Sequence, residues 1–278
     1  MLGQLRLDYS SYSGIARPRK GASPLIGQVH FNFGEQAARL VFLAPESALS
    51  SSALVALLDH LSWESSNRGA FRLLAEIDED HPTFESFRHA GFSVYTRQHI
   101  WKLSLPETSA ANGNGHWRPL HSIDQHSLQT LYHAVVPPLV QSAEAIDKRP
   151  LHGYAYISEG ELLAFVEAIN GPLGIFLQPV VHPNLRSPEE FLTSLLRQLP
   201  VVMGRPVYLA VRDYQSWFNG TANAMNGQSS TRRVLFVKHL ARQQRVAVTS
   251  TLRKVLEQHS TEPTAPLARS QNGEKKEK

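Results

Sequence analysis

Thirteen histidines and a run of hydroxyls at Ser50, Ser51 and Ser52 are the first side chains with chemistry to offer, and the chain holds no cysteine. That absence excludes disulfides, thiolate metal sites and a cysteine nucleophile. The histidines are dispersed. His126 and His133 stand seven apart on one helical face, yet no carboxylate-partnered zinc pattern accompanies them. Neither a nucleophile elbow nor a Walker loop occurs. Glu76, Glu167, His30, Tyr95 and Tyr214 belong to no local motif, so what they can do depends on the elements that carry them.

Charge narrows the classes further. The formal net charge is +4, and Lys275, Lys276 and Lys278 hold part of it at the C-terminal end. Elsewhere Lys and Arg are scattered, without the stripe and interleaved aromatics of a nucleic-acid surface. The N-terminal residues show no basic region followed by an apolar core, and no apolar run approaches the roughly 20 residues that cross a bilayer. A soluble cytoplasmic protein is expected, with no membrane partner.

The elements recur. Val41-Phe42-Leu43-Ala44-Pro45 matches Ile175-Phe176-Leu177-Gln178-Pro179 at an offset of 134. Leu73 to Asp78 matches Tyr208 to Asp213. His99 to Leu103 answers Phe236 to Leu240, with Lys102 and Lys238 136 apart. Blocks in one order at a near-constant offset indicate a duplicated unit. At 278 residues and 42% hydrophobic content, the chain accommodates two domains, each burying its own core.

Residues 1–24 read as a poorly ordered lead-in. In the first unit, residues 25–103, Ile26 to Phe33 alternates as a strand and Ala38 to Leu43 reads as a buried one. A helix carries Leu54, Leu57, Leu58 and Leu61, and Gly69 stops it. A strand at Phe71 to Ile77, a helix at Phe84 to Ala90 closed by Gly91, and a strand at Phe92 to Leu103 follow. Residues 104–115 form a Gly/Asn/Ser linker. The second unit, residues 116–241, reads as a strand, two helices, three antiparallel strands with turns at Glu159-Gly160 and Asn170-Gly171, then helix, strand, helix, strand. Residues 242–278 read as a short helix and a disordered tail. The fold class is α/β, a mixed sheet with helices on both sides and the first unit shortened at its front.

This order resembles the GNAT superfamily of N-acetyltransferases. In the first unit the likeness rests on Arg39 to Pro45, Phe71 to Glu76, and Phe84 to Phe92, whose Gly91-Phe92 matches a helix end of that family. In the second it rests on Trp117 to Leu120, Glu161 to Val166 and Phe176 to Pro183.

The resemblance implies transfer of an acyl group from acetyl-CoA to an amine on a small molecule or peptide. The family holds the cofactor's pyrophosphate on a Gly-rich loop at a helix N-terminus. The matching loop here, Glu46 to Ser52, has no glycine; Leu43, Ala44, Ser50, Ser51 and Ser52 are the candidate contacts, and Ser50 or Ser51 serves equally as a helix cap. The second loop, His182 to Pro188, offers Arg186. The family's proton-donating tyrosine falls on Phe87, which leaves Tyr95 as the fallback donor. Glu76 is a candidate base, beside Glu167 and His30. Proximity alone supplies much of the catalysis in such a reaction. The alternative is a degenerate GNAT-fold module that binds without catalysing; oligomeric state is not specified.

Overall fold

The structure, a computed structural model, describes residues 9–17, 23–32, 35–103, 115–146, 151–171, 174–199 and 205–241. The first repeat comprises β1 (Tyr9–Ala16), β2 (Leu25–Asn32), β3 (Ala37–Ala44), α1 (Ala53–Asn67), β4 (Arg72–Asp78), α2 (Phe84–His89) and β5 (Ser93–Leu103). The second comprises β6 (Gly115–Pro119), α3 (Gln125–Val135), α4 (Pro138–Ala143), β7 (Gly153–Ser158), β8 (Glu161–Gly171), β9 (Gly174–Val181), α5 (Pro188–Gln198), β10 (Val207–Arg212), α6 (Phe218–Ala224), β11 (Gln228–Ser229) and β12 (Arg233–His239). Among the described residues no helix is long and apolar enough to span a membrane.

All twelve strands share one mixed sheet in the order β1-β2-β3-β4-β12-β5-β10-β9-β8-β7-β6, with β11 on β5. The described residues therefore form one compact unit, not two domains with separate cores. The repeats exchange their last strands. β12, from the second repeat, lies antiparallel between β4 and β5; β5, from the first, lies antiparallel to β10.

The exchange is a register-true duplication. Leu73, Leu74 and Ile77 stand opposite Lys238, Val237 and Val234. Tyr208, Leu209 and Arg212 stand opposite Lys102, Trp101 and Gln98. Moving β4 forward by 135 and β12 back by 136 turns the first set into the second. The expected offset of 134 between Val41–Pro45 and Ile175–Pro179 does not hold. Arg39 opposite Leu74 and Leu177 opposite Leu209 occupy equivalent rungs, 138 apart. An apolar strand slid by an even number of residues keeps its faces, so its sequence alone does not fix the register.

Side-chain alternation along β12 divides the core. Val234 and Phe236 pack with Leu54, Leu57, Leu58 and Leu61 of α1 and Phe87 of α2. Leu235 and Val237 pack with Leu128, Leu131 and Tyr132 of α3 and Val140 of α4. A third cluster joins Trp101 and Leu103 of β5 to Leu209, Phe191 of α5 and Phe218 of α6. Each core thus borrows residues from the other repeat.

Local expectations hold where backbone chemistry is decisive. Gly69 (φ +93°) closes α1 and Gly91 (φ +80°) follows α2, left-handed positions suited to glycine. Glu159 and Gly160, both at positive φ, make the β7–β8 turn. Two expectations are corrected. Asn170 and Gly171 end β8, paired with Ile175 and Gly174, and belong to the ladder instead of a turn. Residues 9–16 of the expected lead-in form β1, paired with β2 from Tyr9↔Asn32 to Ala16↔Leu25. Their serines and glycine mask a strand whose Tyr12 and Ala16 pack on the α1 core. Of the expected linker at 104–115, Gly115 opens β6 and residues 104–114 lie outside the described residues, as does the expected tail at 242–278.

Candidate functional site

Two notches open where parallel neighbours stop pairing. β3 and β4 pair only at Ala37↔Arg72, Ala38↔Leu73 and Arg39↔Leu74, although β3 runs on to Ala44 and β4 to Asp78. β9 and β10 pair only at Ile175↔Val207, Phe176↔Tyr208 and Leu177↔Leu209, although β9 runs on to Val181. Beyond each third rung the edge of the earlier strand lacks a strand partner and offers backbone donors and acceptors to another group.

The first notch is open, a cleft of about 260 Å³. Leu40 to Leu43 form one wall and Glu76 to Asp78 the other, with His81, Thr83 and Arg233 at its end. Val41 is 47% exposed and Phe42 51%, an apolar rim on the solvent side. Glu76 Oε1 accepts from Gln98 Nε2 at 2.9 Å and Arg233 Nη1 at 3.1 Å. Arg233 also pairs with Asp78 at 3.4 Å. His81 Nδ1 lies 2.7 Å from Thr83 Oγ1. Of the residues expected from sequence, Leu43 and Glu76 line this cleft, and Ala44 follows at the end of β3.

The loop from β3 to α1 turns part of its donor set inward. The N–H groups of Ala48, Leu49 and Ser51 donate to the carbonyls of Pro45, Glu46 and Ala48. The Ser51 hydroxyl donates to the Ala48 carbonyl at 2.6 Å. Ser52 occupies the helix cap without a side-chain cap bond, so neither Ser50 nor Ser51 caps α1. A short 3-10 turn at Glu46–Ala48 consumes donors that a glycine-rich loop would leave free.

The second notch is closed from within. Gln215, 1% exposed, follows β10 in a 3-10 turn. Its Oε1 accepts from the Val181 N–H at 2.7 Å, and its Nε2 donates to the Pro179 carbonyl at 2.9 Å. One carboxamide thus satisfies both faces of the β9 edge. The β4–β10 offset of 135 puts Asp80 at the corresponding position of the first repeat, and Asp80 is exposed. Beyond Val181, His182, Asn184, Arg186 and Ser187 line a larger cavity of about 820 Å³, shared with α3, the β7–β8 turn and α5. Arg186, the expected second-loop cation, lies there.

Tyr95 lines neither cleft. It sits at a bulge of β5 opposite Leu235–Phe236 and is buried against α3 and α4. Its hydroxyl donates to Glu144 Oε1. Burial first, then the Glu144 charge, pushes its phenol well above the ordinary range, and the fallback-donor expectation loses its geometric basis. Glu144 also accepts from Arg212 Nη2 at 3.0 and 3.2 Å. Burial pushes the Glu144 carboxyl up, but the charges of Arg212 and Arg39 outweigh it and hold it below the usual carboxylate range. Tyr214, beside this pair, is pushed up to about 12, chiefly by burial. Phe87 is fully buried, stacked on Phe236 and edge-on to Phe92, a packing residue.

Sequence reading missed Gln215, His81, Glu144 and Arg212. The one available signal was the repeat itself. Asp213-Tyr214-Gln215 aligns with Asp78-Glu79-Asp80, and an amide facing an acid marks a position where the copies diverge.

No family model and no curated protein matches the chain. Solved structures do. A GCN5-related N-acetyltransferase from Kribbella flavida matches with a TM-score of 0.50 at 13% identity, over 82% of this chain and 90% of that one. A conserved protein of unknown function from Staphylococcus epidermidis ATCC 12228 matches with a TM-score of 0.50 at 10% identity, over 74% and 85%. A tandem GNAT protein from the clavulanic acid biosynthesis pathway matches at 0.46 and 14%, over 86% and 85%. At such identities the likeness speaks for the fold alone. Two repeats, each with a parallel pair that parts after three rungs, carry the fold of the GNAT superfamily within one sheet.

Proposed function

We propose that the chain is an N-acyltransferase-like protein that takes acyl-CoA in the first notch and acts on a small-molecule or peptide amine in the cytoplasm, with no membrane or nucleic-acid partner. The observation that carries this reading is the unpaired edge of β3 beyond Arg39, facing an open cleft with an apolar wall and polar groups at its end, while its counterpart in the second repeat is filled. The cleft suits an extended arm with alternating amides and methylenes. Backbone groups of β3 would hold the amides, and Val41, Phe42, Leu43 and Ile77 would cover the methylenes. Acyl-CoA would supply an activated thioester, and the protein's task is to hold an amine against it.

Among the lining residues, His81 has an imidazole suited to taking the amine's proton, and Thr83 orients it. Glu76 is charge-paired to Arg233, which suits it to holding a cationic amine near the cleft more than to proton removal.

A second reading, a GNAT-fold module without catalysis, is favoured by the inward-turned amides of Ala48, Leu49 and Ser51 and the Ser51 hydroxyl, which leave the β3–α1 loop fewer donors for a phosphate. Calorimetric titration with acetyl-CoA separates the two. One equivalent is expected to bind, and Val41→Trp, at an exposed wall position, is expected to weaken binding at least about tenfold, or 1.4 kcal/mol. Thiol release from acetyl-CoA with an amine panel then reads transfer, and a chain without cysteine gives no background thiol. Absence of binding at millimolar acetyl-CoA would leave the second reading standing.

A further inference from the structure

We propose that Gln215 is an internal occupant of the second notch, a side-chain amide that excludes acyl-CoA from a second, otherwise serviceable site. The inference rests on the acyl-CoA reading of the fold, and it concerns why the second notch is closed.

The geometry is specific. The divergence of β9 from β10 leaves the Val181 N–H and the Pro179 C=O on the inner edge, two residues apart along one strand. That spacing accepts one amide, its oxygen on Val181 and its nitrogen on Pro179. Gln215 presents such an amide from a turn that begins directly after β10. Both bonds are short, both are buried, and Gln215 has no other hydrogen-bond partner among the described residues. A ligand amide entering this notch must displace the carboxamide and match both bonds. Without a match, a buried donor and acceptor are left unmade, at substantial cost.

Room remains beside the plug. His182, next to Val181, lines the cavity of about 820 Å³, where Arg186 is the cation nearest the β9 end in sequence and Glu159, Glu161 and Glu190 stand on the other lining elements. The second repeat therefore keeps room beside a closed notch. The first keeps an open notch beside a loop that turns part of its donors inward. Asp80 at the Gln215-equivalent position cannot reproduce the plug, since an ionised carboxylate has no N–H to give a carbonyl.

The whole chain is titrated with acetyl-CoA by calorimetry while the Val181 amide is followed by NMR. In the wild type, Val181 should exchange slowly with solvent and stay unshifted by ligand; a fast-exchanging Val181 amide overturns the inference without any variant. Gln215→Ala and Gln215→Ser should each gain a second equivalent of acetyl-CoA, at least tenfold tighter than any second-site binding to the wild type, with Val181 shifting on addition. One folded small variant is enough for the test. If it still binds a single equivalent and Val181 does not move, the inference fails. A wild type that binds none and a Gln215→Ala that binds one through Val181 would sink the first-notch reading and leave this one intact. No binding by any of the proteins at millimolar acetyl-CoA rejects it.

Discussion

Arg212→Met is expected to destabilise the chain by about 3–5 kcal/mol, because it leaves the buried Glu144 carboxylate without its cation. Arg212 is 4% exposed, and only its Nη2 reaches Glu144. Its Nε and Nη1 have no partner among the described residues, so the guanidinium is itself dearly desolvated. Removing both charges should therefore restore much of the loss: Arg212→Met with Glu144→Gln should be more stable than Arg212→Met alone.

The pH dependence carries the sign. In the wild type the folded-state pKa of Glu144 is lowered, with Arg212 and Arg39 outweighing burial. Its contribution is present above the ordinary carboxylate value near 4.3 and is lost as pH falls through the folded value. In Arg212→Met burial meets less opposition, and the pKa moves up. The penalty should then be larger at pH 8 than at pH 5, the reverse of the wild-type trend. Urea midpoints of the three proteins at both pH values test this. An equal loss at pH 5 and pH 8 would show that Glu144 does not carry the effect.

What the sequence displayed and what it hid follow from range. Elements set by neighbours along the chain were legible. The spacing of Leu54, Leu57, Leu58 and Leu61 gives α1, and Glu159-Gly160 gives a turn whose positive φ values the structure bears out. The doubling was legible too, because Lys102 and Lys238, and Asp78 and Asp213, sit at positions that the paired registers relate. Strand partners were not. Nothing in Val234-Leu235-Phe236-Val237 tells whether it closes its own repeat or the other, since either edge offers the same ladder and a similar apolar face. The split of the notches was hidden for a related reason. Gln215 acts on Pro179 and Val181 from 36 and 34 residues away in sequence, and a lone glutamine after a strand has no motif. Glu76 was found because it lies on a central strand, whereas its pairing with Arg233 depends on the exchange of β12. Ser51 looked like a cap or a phosphate ligand. It bonds backward to Ala48 because the loop winds into a turn before α1 begins.

The exchange also decides how the chain must be assembled. β5 has as its partners β10, β11 and β12, all from the second repeat, and β12 has as its partners β4 and β5, both from the first. Residues 1–103 made alone would hold an eleven-residue strand with nothing to pair with, and β4 would face water along the edge that β12 covers. Phe87 would lose Phe236 from its ring stack, and the α1 core would lose Val234 as well. Residues 115–241 made alone would leave β12 unpaired and remove Trp101 and Leu103 from the core under α5 and α6. Unpaired apolar edges aggregate. Each half should therefore be insoluble or unfolded by itself, and the two expressed together should recover a soluble one-to-one complex. A chain cleaved at a protease site placed between residues 103 and 115 should stay associated through size exclusion and separate only in denaturant. Two soluble halves, each with a cooperative thermal transition of its own, would mean that the repeats fold as independent domains and that the shared central strands are wrongly paired.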